Sequence, residues 1–228
     1  MAGDPFAVCE EDVRRHDPDR YYAALFAPED RRRHLFALYA FYRELAHAVD
    51  AAHDPLMVDV RLAWWRETLQ AARAGQPRNH HVAQAMSAML PAHDLPDAMF
   101  EPILDARAAE AGGAAFADAA AAEAHADATT GALMRLAARI LGAEAGAPAR
   151  EAGIAYALAG RRDARYRGVD TAVLARAHLA AARALDMPRE ALPALLPAAL
   201  VPLYLRRADP PLWRRQLRLL RAGLSGRL

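Results

Sequence analysis

Residues 17–69, DPDRYYAALFAPEDRRRHLFALYAFYRELAHAVDAAHDPLMVDVRLAWWRETL, combine a helical apolar rhythm, an aromatic cluster and dense arginine. Leu35, Leu38, Tyr39, Tyr42, Leu45, Ala46 and Val49 recur there at three- and four-residue spacing, which marks one long buried helix face. Asp17-Pro18-Asp19 reads as a helix start, because proline suits the first helical position and acidic groups suit the positive helix end. The spacing predicts a short helix over 18–25 and a long one opening at Ala27-Pro28-Glu29-Asp30 and ending at His53-Asp54-Pro55. A third follows over 58–74, closed by Gly75-Gln76-Pro77.

The same character continues outward. Sustained period-two alternation is missing, β-branched residues are sparse, and alanine, leucine, arginine and glutamate dominate, all good helix formers. Further helices are expected over 80–90, 96–111, 116–141, 147–161, 171–185, 189–206 and 211–224. No fixed-period repeat or long linker divides the chain, so the expectation is a flexible N-terminus over 1–16 and one all-α domain over 17–228. A length of 228 residues suits a single well-buried core.

Composition excludes several functions. The 29 basic residues, all arginine, nearly balance 28 acidic ones, and a net charge of +1 argues against a nucleic-acid binder. A single cysteine, Cys9, in a segment expected to fray, offers neither a disulfide nor a cysteine zinc cluster and makes a poor nucleophile. No apolar run reaches the length of about 18 residues a membrane span needs, and the first residues carry no secretory apolar core. The chain therefore reads as cytoplasmic. Phosphate-loop, dinucleotide-binding and nucleophile-elbow motifs are absent.

Three separated blocks, DPDRYYAALFAPEDRRRHLFALYAFYRELA, RLAWWRETL and HADATTGALMRLAARILG, resemble in order the squalene/phytoene synthase family of head-to-head trans-isoprenyl diphosphate synthases. The resemblance implies a single-domain isoprenoid-synthase-type helical bundle with a central apolar cavity, lined by the helices around 31–50, 96–111, 116–141 and 147–163. It also implies that two acidic motifs on facing helices hold Mg²⁺ against a prenyl diphosphate. Mg²⁺ takes hard oxygen ligands, so carboxylates at those positions are not freely exchangeable.

Position by position, the acids are thin. In RELAHAVD, beginning at Arg43, the two leading acidic places hold Ala46 and His47, and Asp50 survives; Glu44 points to another face. Imidazole at His47 prefers softer metals and adds no negative charge. In the second block, Tyr156 and Ala159 replace the family's amides, Arg162-Asp163 fits its arginine-aspartate pair, and arginine at 165 and 167 reverses the charge of later acids. His125 and Ala128 stand at the two tyrosine places before Gly131, and Glu110 takes an aspartate place.

Carried over from the resemblance, the catalytic candidates are Asp50, Asp163 and His125; the metal candidates are Asp50, Glu110 and Asp163; the diphosphate-binding candidates are Arg43, Arg162, Arg165 and Tyr39. Arg31, Arg32 and Arg33 read as a solvated run or a phosphate grip. Trp64-Trp65 reads as core, and His80-His81 as an unassisted pair without a carboxylate partner. In the C-terminal LWRRQLRLLRAGLSGRL, an apolar stripe of Leu212, Trp213, Leu217, Leu220 and Leu224 fits a core helix or an anionic membrane surface.

The resulting expectation is a family member with degenerate metal motifs that no longer catalyses. It resembles the divergent branch that includes a respiratory complex I assembly factor, and it would bind a lipid, a prenyl diphosphate or a respiratory-complex subunit, peripheral to the inner membrane. No cofactor is expected on that reading. The alternative is an active Mg²⁺-dependent prenyltransferase condensing two farnesyl or geranylgeranyl diphosphates to a squalene- or phytoene-like product.

Overall fold

Aspartate–proline pairs start three of the helices. Asp4, Asp17 and Asp54 each precede a proline and cap α1 (Pro5–His16), α2 (Pro18–Ala24) and, beyond the long α3 (Glu29–Asp50), α4 (Pro55–Arg73). Each carboxylate accepts a first-turn backbone N–H, at 3.1, 3.2 and 2.9 Å, while the proline takes a position whose N–H would lack a partner anyway. This computed structural model describes residues 3–51, 54–159 and 164–228. Among them the chain is helical, with no strand.

The chain continues through α5 (His81–His93), α6 (Glu101–Ala109), α7 (Ala119–Ala126) and α8 (Ala132–Ile140), the last two joined by a π turn over Asp127–Gly131. Then follow α9 (Gly146–Leu158), α10 (Thr171–Ala184), the short α11 (Leu192–Leu195) and α12 (Val201–Arg206), and α13 (Leu212–Ser225). Helix α3 runs through the middle. From Leu35 to Tyr42 every residue is buried, so α3 is covered on all sides there rather than on one face; Ala46 and Val49 are only half-buried. Phe41 meets Trp65 and Phe100 edge-on at 5.3 and 5.8 Å, tying α3 to α4 and to the residue just before α6.

The N-terminus differs from expectation. Residues 5–16 form α1, whose Phe6, Cys9 and Val13 are buried on the same core as α3 and α5. Burial, with the charges of Asp12, Glu44 and Asp4 around it, pushes the Cys9 thiol up to about 12, so it is inert for that reason rather than through fraying. The arginine run is also structural. Arg31 donates to the Ile140 carbonyl at 2.7 Å, Arg32 to those of Leu25 and Ala27 at 3.1 and 3.0 Å, and Arg33 stacks 3.9 Å over Phe6.

Two predicted helices are broken. The one expected over 116–141 starts at Ala119 and widens at the π turn. The one expected over 189–206 is a chain of one-turn pieces, because Pro193, Pro197 and Pro202 each remove a helical N–H and clash with the preceding turn. Helix α9 crosses the π turn glycine to glycine: a Cβ on Gly153 would stand 2.5 Å from Gly131 Cα. Gly153→Ala is therefore expected to cost about 1–3 kcal/mol through overpacking. A lower urea midpoint at unchanged slope checks it. Gly146→Ala is the control, since a Cβ there meets nothing within 4 Å.

Candidate functional site

A cavity of about 530 Å³ lies between α2, α3, α6, the π turn, α9 and α12. It sits among the helices the sequence pointed to, but its lining is largely charged and phenolic. Arg20, Arg43, Arg107 and Arg165 share the wall with Asp17, Asp50, Glu110, Tyr42, Tyr156 and Tyr204; Ala46, Ala157 and Ala159 supply apolar surface.

Most of these charges are already engaged with one another. Arg20, almost wholly buried, donates to Asp17 at 2.6 Å. Two guanidiniums lie over the Tyr42 ring, Arg20 at 5.1 Å and Arg107 at 4.9 Å from its centroid, and its hydroxyl is 3.4 Å from Thr130 on the π turn. A single Arg107 nitrogen, Nη1, reaches both oxygens of Glu110, at 2.9 and 3.1 Å, from the same helical stretch. Glu110 is only 6% exposed and also receives His125 at 2.7 Å and Arg165 at 3.3 Å. A carboxylate facing arginines only accepts, so the His125 Nε2 carries the hydrogen. Burial works to raise the Glu110 pKa, but the His125 hydrogen bond and the Arg107 and Arg165 charges outweigh it and hold the carboxyl at about 2.

The sequence candidates distribute unevenly. Glu110, His125 and Arg165 meet in one network, and Asp50 sits exposed at the C-terminal end of α3 on the cavity wall. Arg43 also lines the cavity and is turned toward Asp12 of α1, at 3.0 Å. Tyr39 is not among the lining residues: it is fully buried in the core, its hydroxyl has no hydrogen-bond partner among the described residues, and burial raises its pKa. Arg162 and Asp163 lie outside the described residues. Of the first acidic motif, Ala46 and Asp50 line the cavity, whereas His47 turns toward a second pocket.

Sequence reasoning missed Arg20, Tyr42 and Arg107 as a cation–ring group on the cavity wall. It also missed Asp19, whose buried carboxylate receives Tyr156 at 2.8 Å, Arg215 at 2.9 Å and the Tyr204 hydroxyl. Burial and the Asp19 charge raise the pKa of both tyrosines, so they stay protonated as donors. Arg107 and Arg20 carried a signal, an arginine one helical turn from an acidic partner; Asp19 carried none, because its partners lie far along the chain.

The squalene/phytoene synthase family model matches residues 13–166, about two-thirds of the sequence. The chain belongs to this family. Complex I assembly factor 6 of NADH dehydrogenase (ubiquinone) from Homo sapiens is 28% identical over 134 residues, 59% of this chain and 40% of that protein. The Bos taurus protein gives the same identity over the same extent, and that of Mus musculus is 26% identical over 134 residues. The matched stretch thus spans about two-fifths of the length of these relatives.

Two solved structures share the isoprenoid synthase fold. A dehydrosqualene synthase in complex with ligand superposes with a TM-score of 0.76 at 16% identity, covering 97% of this chain and 95% of that one. A squalene synthase from Alicyclobacillus acidocaldarius gives 0.68 at 19% identity, covering 97% and 94%.

Mg²⁺ in this family's cavity calls for clustered hard oxygen ligands. Glu110 is committed to Arg107, His125 and Arg165, and Ala46 offers no oxygen. Among the described residues no three potential metal ligands gather in this cavity. The described lining does not fit such a cluster.

Proposed function

We propose that this protein is a non-catalytic member of the squalene/phytoene synthase family that acts as a binding or assembly factor, of the kind that serves respiratory complex I, at a membrane surface. The observation that carries this reading is the cavity itself. Where catalysis would gather carboxylates around a diphosphate, the described wall presents Ala46, an exposed Asp50, and a Glu110 paired with two arginines and hydrogen-bonded to His125. A diphosphate leaving group there would meet fixed cations and, among the described residues, no cluster of metal-ligating carboxylates.

The assembly role rests on the relatives named as complex I assembly factor 6, which match the chain over 134 residues. The membrane role rests on α13. Leu219 and Ala222 face the core, and Gly223 packs on Phe26, while the stripe read from sequence points outward, with Trp213 59% and Leu224 77% exposed beside Arg214 and Arg221. An apolar stripe with flanking arginines suits an anionic lipid surface. No helix among the described residues is long and apolar enough to cross a membrane. A cytoplasmic protein peripheral to the inner membrane is the location this reading carries.

The rival is an active Mg²⁺-dependent prenyltransferase. Incubation of the purified protein with farnesyl or geranylgeranyl diphosphate and Mg²⁺ separates the two. The expected result is no C30 or C40 hydrocarbon. A product that disappears in Asp50→Ala would overturn the non-catalytic reading.

A further inference from the structure

Away from the family cavity, a second pocket of about 470 Å³ opens between α3, α4 and the start of α5. Glu44, His47, Trp64, Trp65, Arg61 and His80 are among its walls. Glu44 comes from α3, whereas His80 caps α5 and His81 is its first residue. One ligand atom from each of Glu44, His80 and His81 lies within 4.8 Å of the other two. The sequence set the two histidines aside for want of a carboxylate, and the fold brings one from 36 positions earlier.

These groups are not satisfied by one another. Among the described residues, the Glu44 carboxylate makes no hydrogen bond or ion pair and the buried Nδ1 of His80 has no partner. A half-buried carboxylate facing two imidazoles, all beyond hydrogen-bond reach of each other, is costly unless something fills the gap. The rings are held: His80 stacks on His81 at 4.6 Å and stands edge-on to Trp65 at 5.4 Å and Trp64 at 5.9 Å.

We propose that Glu44, His80 and His81 form a binding site for one Zn²⁺-class divalent ion, separate from the family's Mg²⁺ chemistry. Two imidazole nitrogens and one carboxylate oxygen select a borderline first-row metal over Mg²⁺. Metal–ligand bonds of about 2.0–2.1 Å in a tetrahedral site need the three atoms drawn together to roughly 3.3 Å, a rotamer-scale closure. Three protein ligands leave the fourth position open, and two of them, Glu44 and His80, line the tryptophan-walled pocket.

The test uses the full chain without an affinity tag. Zn²⁺ titrated by calorimetry should bind one ion per chain, and Co²⁺ should give visible d–d bands and quench tryptophan emission through Trp64 and Trp65. His80→Ala, His81→Ala and Glu44→Gln should each weaken binding by about tenfold or more. Circular dichroism checks that the variants fold, and Glu44→Gln keeps the side chain's shape. His93→Ala, at the separate His34–His93 pair, should leave binding unchanged. Absence of Zn²⁺ binding, affinity unmoved by the three substitutions, or affinity lost in His93→Ala instead would each overturn the site.

Discussion

Replacing Asp19 with alanine is expected to remove about 3–5 kcal/mol of folding free energy, the usual cost of breaking a buried ion pair from one side. The Asp19 side chain is 4% exposed and holds Arg215 of α13 at 2.9 Å, Tyr156 of α9 at 2.8 Å and Tyr204 of α12. Alanine leaves a guanidinium and two hydroxyls to be desolvated without an acceptor. A domain of this size holds about 5–15 kcal/mol in all, so the loss is a large share of it. Tyr204→Phe removes one donor and leaves the acceptor partnered, so about 1 kcal/mol is expected. Asp19→Asn should fall between the two, since its amide oxygen still accepts but no longer pairs with a cation. Equilibrium urea denaturation measures all three. An Asp19→Ala protein within about 1 kcal/mol of the parent would show that α12 and α13 are held by apolar packing instead.

Asp19 also marks where sequence reading stops. Asp17-Pro18-Asp19 was legible as a helix start because capping is local, and Asp17 does accept the Arg20 N–H. That the acid two residues on would anchor three distant elements was not legible, since nothing in a short window records which faces later helices turn toward. The same division runs through the molecule. The periodicity around Leu35 and Leu38 placed α3 correctly, but it underestimated burial, because Phe36, Ala37, Ala40 and Phe41 are covered by elements whose arrangement periodicity does not encode. The prolines of 189–206 were visible and carried their usual meaning; helix-forming composition around them outweighed it in the reading. In the cavity, substitution by Ala46 and His47 was legible from residue order alone, whereas the pairing of Glu110 with His125 needed the end of α6 and α7 brought together.

Glu110→Gln is expected to lower stability near neutral pH by on the order of 3 kcal/mol, and the loss should fade in acid. The carboxyl sits at about 2 in the folded protein against an ordinary 4.5. Its folded value is depressed, so its contribution is complete above pH 4.5 and disappears as the pH falls from there toward 2. Glutamine keeps the shape and an acceptor but leaves Arg107, only 12% exposed, facing an uncharged group, with Arg165 beside it. The measurement is the difference in unfolding free energy between parent and variant at several pH values between neutrality and 3, which cancels acids titrating equally in both. A difference that stays constant across that range would mean the Glu110 charge contributes nothing in the folded state. A difference that closes on acidification supports a carboxylate consumed by internal cations. That bears on function as much as on stability: a Glu110 ligating Mg²⁺ would have to leave Arg107 and Arg165 unpaired in the cavity wall, at a cost the metal would need to offset without the neighbouring carboxylates that Ala46 and His47 replace.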